Sequence, residues 1–157
     1  MSESCRLQDY ALHAFDKLRY GDTDRQGHVN NAVYATLFET GRVELLYDSA
    51  GPLREPGSAL VIARLTIDFI GEMLWPGKID IGTRVGALGR SSVRLEQALF
   101  QDGQCVASSQ SVIVLTDAQT RRPRALSPAT IDYLSGFQRR IARSGDAPPG
   151  PGSAATR

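Results

Sequence analysis

Tyr20-Gly21-Asp22-Thr23-Asp24-Arg25-Gln26-Gly27-His28-Val29-Asn30-Asn31 is a polar, glycine-punctuated stretch that runs straight into an apolar segment, Ala32 to Leu46. Within that segment Tyr34, Leu37, Phe38, Gly41 and Leu45 recur at helical spacing, and Val33 and Leu46 widen the stripe. Asn30 or Asn31 serves as the N-cap, and Gly51-Pro52 ends the run. A helix this apolar has to be buried against something broad. Just ahead of it stand two carboxylates, a histidine and two asparagines. The unpaired N–H groups and dipole of a helix start favour negative charge. The join therefore suits attack on a carbonyl, where a base or nucleophile and an oxyanion donor must stand together.

The second half of the chain supplies the cover. Ala63, Leu65, Ile67 and Phe69 alternate with Arg64, Thr66 and Asp68, a half-buried strand. After Trp75-Pro76-Gly77, Ile79, Ile81, Thr83, Val85 and Ala87 form a second alternating run, and Val93 to Leu99 a third. Asp102-Gly103 is a hairpin signal leading into Cys105 to Leu115. Leu12 to Tyr20 is read as a first strand, and Ser127-Pro128 starts a short helix to about Arg143. One apolar helix wrapped by a single antiparallel sheet makes an α+β domain. We expect a flexible N-terminus over residues 1–10, a single domain over 11–143, and a Gly/Pro/Ser-rich disordered tail over 144–157.

Composition excludes several function classes. A net charge of +1 at pH 7 gives no pull towards nucleic acid or an anionic membrane, and no run is long enough to span a bilayer. Only Lys17 and Lys78 among the 18 basic residues are lysines. Cys5 and Cys105 form neither a CxxC pair nor a metal cluster, so neither a disulfide framework nor a metal is expected. Asp22 and Asp24 with Gly27 superficially suggest a calcium loop, but Gln26 and Val33 occupy the fifth and twelfth loop positions. No GxGxxG, P-loop or GxSxG motif is present, and no cofactor is expected. The composition and lack of a signal sequence fit a cytoplasmic protein.

Asp24-Arg25-Gln26-Gly27-His28-Val29-Asn30-Asn31, with Tyr34, Glu39 and Arg42 after it, resembles the hot-dog-fold acyl-CoA thioesterases of the 4-hydroxybenzoyl-CoA thioesterase family. The likeness runs from Leu12 to Leu134. A similar Asp…His-Val-Asn-Asn run occurs in acyl-carrier-protein thioesterases. The resemblance implies a hot-dog fold, an antiparallel sheet around one long central helix, assembled as a dimer or tetramer with sites at the subunit interface. It implies hydrolysis of an acyl-CoA, or of an acyl-ACP, to the free acid. A non-catalytic acyl-CoA-binding domain is a further alternative. Hot-dog hydratases carry Asp-x-x-x-x-His, and Asp24 to His28 is one residue short of it.

By resemblance Asp24 is the nucleophile or general base, and the backbone N–H of Asn31 is the oxyanion donor. The plainer reading of Asp24 is a loop carboxylate capping a turn. His28 either orients water or the acyl carbonyl, or fixes the loop; the asparagine of the carrier-protein enzymes' Asp/Asn/His set is replaced by Gln26. Glu39 corresponds to a catalytic glutamate in another branch of the family, and otherwise pairs with Arg42 at i, i+3. Asn30 and Tyr34 flank the same site, although tyrosine at such a position also suits a core. Thr66 and Asp68 either flank the pantetheine tunnel or pair within the sheet. Arg90, Ser91 and Ser92 fall where the family meets coenzyme A phosphates, with Arg121, Arg122 and Arg124 as a second basic cluster.

Overall fold

The computed structural model describes residues 5–48, 53 and 55–138. Five strands form one antiparallel sheet: β1 (Leu12–Lys17), β2 (Ser58–Phe69), β3 (Lys78–Leu88), β4 (Ser92–Gln101) and β5 (Gln104–Asp117). Their order across the sheet is β1-β3-β4-β5-β2, so β2 is an edge strand and the chain crosses the sheet end between β2 and β3. Helix α1 (Asn31–Leu46) lies over β1, β3 and β4. Helix α2 is Pro128–Ser135, shorter than expected because Gly136 caps it; the rest of the expected span lies partly outside the described residues. Gly51-Pro52 and the 144–157 tail also lie outside them.

Asn30 caps α1, its side chain accepting from the Ala32 N–H, and the apolar stripe is buried as its spacing predicts. Tyr34, Leu37 and Phe38 pack with Ile79, Ile81, Leu99 and Met73, while Leu45 and Leu46 join Val85, Leu95 and Leu115. Arg42 is buried with them, its guanidinium donating to Gln97 Oε1 at 3.5 Å. Gln97 in turn donates from Nε2 to the Phe38 carbonyl and to Thr83 Oγ1, both at 2.9 Å. The Asp102-Gly103 hairpin has positive φ at both residues (49° and 78°), as a tight turn between twisted strands needs.

Three readings change. The first strand stops at Lys17, because Tyr20–Asp22 folds into a 3-10 turn. The segment before it is docked over Leu7 to Tyr10: Tyr10 packs edge-on against Phe100 and covers Gly82. The strand expected to be half-buried, β2, has Ile62, Leu65 and Phe69 exposed although they share the α1-facing side with the packed Ile67. Coverage of β2 by the α1 core is confined to its C-terminal part, where Ile67 packs and the Tyr34 ring meets Phe69.

At Gly41 an added Cβ would come within 2.7 Å of Gln97 Nε2 and Ile81 Cγ2 and 2.8 Å of Thr83 Oγ1. Helix propensity alone would favour alanine there by about 1 kcal/mol. The clash reverses that sign: Gly41→Ala should destabilise the fold by about 1–3 kcal/mol, read as a lower urea midpoint with unchanged far-UV dichroism.

Candidate functional site

The motif loop is built by its own polar groups. Asp22 is buried and accepts from the Arg19 N–H at 2.8 Å and from the Arg19 guanidinium at 2.8 and 3.2 Å. Those Arg19 hydrogen bonds, side chain first, hold its carboxyl below the usual carboxylate range despite burial. The Asn30 N–H donates to the Asp22 carbonyl at 2.8 Å, which ties the cap of α1 to this turn. Thr23 then bridges to Val29, and the five residues between close into a tight loop. Asp24 N–H donates to the His28 carbonyl, and Asp24 Oδ1 accepts from the N–H groups of Gln26 (2.8 Å) and His28 (3.1 Å). Gly27 has φ 81°, a conformation that favours glycine.

The other wall comes from the chain crossing between β2 and β3. Val29 N–H donates to the Met73 carbonyl, His28 bridges to Leu74, and the Tyr34 hydroxyl donates to the Gly71 carbonyl at 3.3 Å. The Tyr34 ring meets Phe69 edge-on at 5.0 Å between centroids. Burial pushes the Tyr34 phenol up, so it stays a neutral donor. Between loop, helix start and crossing segment lies a cleft of about 440 Å³. Asp24, Gln26 and His28 line it from the loop, Asn31 and Tyr34 from α1, and Phe69 to Met73 from the crossing segment.

Asp24, His28, Asn31 and Tyr34 are thus brought together. Asn30 serves as the helix cap, and Glu39 is exposed further along α1, with no ion pair to Arg42 among the described residues. Thr66 and Asp68 sit on the face of β2 opposite Ile67, away from the cleft. Arg90, Ser91 and Ser92 form the turn after β3, whereas the motif loop follows the β1 end that pairs with Lys78 at the start of β3. The 11 residues of β3 put these ends roughly 35 Å apart. The segment after β5 joins the Arg90 turn, Leu126 N–H donating to the Arg90 carbonyl, and gathers both basic clusters at that far end. Arg124 is held there by Glu55 at 3.4 Å.

Sequence reasoning missed Glu72, whose Oε1 lies 3.5 Å from His28 Nε2, and the Gly71 to Met73 wall. No local pattern marks them. They reach the loop only because β2 and β3 are not neighbours in the sheet.

The thioesterase-like superfamily profile matches residues 18–134. The chain belongs to that superfamily. It is 30% identical over 128 residues to acyl-acyl carrier protein thioesterase ATL2 of Arabidopsis thaliana, covering 78% of this chain and 67% of that one. It is 24% identical over 119 residues to the acyl-CoA thioester hydrolase YbgC of Escherichia coli, covering 73% and 89%. The crystal structure of a Thermus thermophilus thioesterase complexed with coenzyme A and Zn superposes with a TM-score of 0.72 at 28% identity, over 81% of this chain and 93% of that one. The fold is the hot-dog fold of these thioesterases, and the chain is a thioester hydrolase.

In this thioesterase Asp22 is a structural residue, held by Arg19 in the turn that leads into the motif loop. A depressed carboxyl contributes stability that is full above the unfolded value near pH 4 and fades as pH falls below it. Asp22→Asn should cost about 1–2 kcal/mol at pH 7. Urea unfolding should show the gap to the parent narrowing at pH 3.

Proposed function

We propose that the protein hydrolyses an acyl-CoA to the free acid and coenzyme A, with Asp24 as nucleophile or general base. The observation that carries this reading is the shared cleft of Asp24, His28 and the start of α1. Asn30's side chain takes the Ala32 N–H and its carbonyl takes the Val33 N–H. The Asn31 N–H, first in the helix, is left without an acceptor among the described residues, and Asn31 is one of the residues that line the cleft. It is the donor for the oxyanion that forms as the thioester carbonyl is attacked. Asp24 uses Oδ1 to hold the loop and keeps Oδ2 for chemistry, either attacking the carbonyl carbon or taking a proton from water. The thiolate leaves without needing strong proton assistance. His28, 3.5 Å from Glu72, orients the water or the acyl oxygen.

The working unit on this reading is a homo-oligomer, at least a dimer. Arg90 of the same chain stands too far from Asp24 to meet the phosphates of a coenzyme A whose thioester it attacks, so any such contact comes from a second copy. An acyl-ACP substrate is the second reading, favoured by the likeness to ATL2; acyl-CoAs compared with acyl carrier proteins under free-thiol detection separate the two.

Asp24→Asn keeps an oxygen for the Gln26 and His28 N–H groups, so the loop should persist while the chemistry is lost. We expect kcat to fall by about a hundredfold or more, with binding of a non-hydrolysable acyl-CoA analogue retained. Near-parent turnover in Asp24→Asn together with its loss in Glu39→Gln would move the catalytic carboxylate to α1.

A further inference from the structure

Neither cysteine of the chain takes part in the chemistry proposed above, yet the fold brings both to one place on the sheet face turned away from α1. Residues 5–10 lie across that face. The Tyr10 ring seats on Gly82, where an added Cβ would come within 2.6 Å of it, and meets Phe100 edge-on with centroids 6.1 Å apart. Arg84 holds the same segment from β3: its Nη1 donates to the Asp9 carbonyl at 3.1 Å, and its guanidinium carbon lies 4.9 Å from the centre of the Tyr10 ring. From this seat the Tyr10 hydroxyl meets Cys5 Sγ at 3.4 Å. Phe100 faces Cys105 across the β4–β5 pair, and facing side chains share a sheet side. Cys105 is therefore on the side of Tyr10, while Val106 and Ala107 enter the α1-side core. There Cys105 Sγ donates to the Ala107 carbonyl at 3.7 Å and is within hydrogen-bond reach of the Cys5 thiol.

We propose that Cys5 and Cys105 are a dithiol that closes to an internal disulfide by exchange with a small disulfide of the glutathione class, clamping residues 5–10 to the head of β5. The Cys5 thiolate attacks one sulfur of the small disulfide, forming a mixed disulfide and releasing one small thiolate. Cys105 then gives up its proton, its sulfur attacks that of Cys5, and the second small thiolate leaves. Two electrons and two protons pass from the cysteine pair to the small disulfide, which ends as two thiols. Burial first, then the neighbouring Cys5, pushes the Cys105 thiol up to about 12, which makes it the slower partner and gives the first attack to Cys5. Burial also pushes the Tyr10 phenol up, so its hydroxyl stays protonated and can donate to the Cys5 sulfur as the thiolate forms.

The clamp bears on the cleft. Val106 follows Cys105 in β5, and its carbonyl accepts from the N–H groups of both Ile70 and Gly71 at 3.0 Å. That double acceptance hangs the cleft wall from β5, and the Gly71 carbonyl takes the Tyr34 hydroxyl in turn. A bond at Cys105 fixes the strand one residue away from the anchor of the wall. It also closes a loop that contains α1, β2, β3 and β4, and a long loop constrains the unfolded chain strongly.

The full chain equilibrated with reduced and oxidised glutathione tests this by intact mass and peptide mapping. The oxidised chain should lose two hydrogens, carry no glutathione, stay a single chain without reductant, and yield a linked Cys5–Cys105 peptide. Closure should be about a hundredfold more favourable in the folded chain than in the same chain in concentrated urea. It should raise Tm by about 5 °C or more and slow amide exchange at Ile70 and Gly71, all reversed by dithiothreitol. Cys105→Ser should stop at a mixed disulfide on Cys5, and Cys5→Ser should leave Cys105 unmodified over the same time. A folded chain that collects two glutathiones, closes no better than the unfolded chain, or links to a second chain overturns the proposal. Closure with unchanged exchange at Ile70 and Gly71 overturns the link to the cleft wall. No step uses Asp24, so these outcomes stand apart from the success or failure of the proposed hydrolysis.

Discussion

The depth at which α1 sits on the sheet is fixed at Gly41, and the site inherits that depth. With no side chain there, the helix backbone comes down onto Ile81, Thr83 and Gln97. Gln97 then reaches up to the Phe38 carbonyl and sideways to Thr83, so a buried amide that would be costly if unpaired is satisfied on both sides. Asn31 lies ten residues before Gly41, about 15 Å along the same rigid axis. A helix lifted at Gly41 would lift or tilt its N-terminus away from the Gly71 to Met73 wall, which is held to the sheet through Ile70, Gly71 and Val106. A packing constraint in the core thus becomes a positioning constraint on the proposed oxyanion donor.

The strand order does the rest. Because β2 and β3 lie apart in the sheet, the chain between them must cross the sheet end. The motif loop, entering from β1, is at that same end, and Val29 to Met73 and Tyr34 to Gly71 hydrogen bonds sew the two together. A sequential meander would leave the loop facing water on one side. Here it faces a wall of Phe69, Ile70 and Met73, an apolar lining suited to an acyl group beside the polar end that holds Asp24 and His28.

What was legible in the sequence was what is decided locally. The apolar stripe of α1, the Asn30 cap and the Asp102-Gly103 turn each depend on residues within a few positions of one another. So does the motif loop, where both readings of Asp24 have content: one oxygen caps the turn, and the other is left for the proposed chemistry. The failures were non-local. Arg42 reads as the polar side of a helix, yet Gln97, 55 residues away, draws it inward. Glu72 reads as a loop carboxylate and becomes a neighbour of His28 only through the crossing. The alternation in β2 correctly identifies two faces but cannot say what covers them, since α1 lies mainly over β1, β3 and β4 and meets β2 near Ile67 and Phe69.

The length of the sheet bears on how a substrate with two distant recognition points can be held. One chain places the cleft of Asp24 and His28 and the arginine of the Arg90 turn at opposite ends of the sheet, roughly 35 Å apart by strand length. No bending of loops closes such a gap while the sheet stays intact. On the oligomeric reading proposed above, a second copy closes it, its far end standing beside this chain's near end. On that reading association supplies half of the site as well as stability, and weakening it should cost affinity for the phosphate-bearing arm before it costs the chemistry proposed at Asp24.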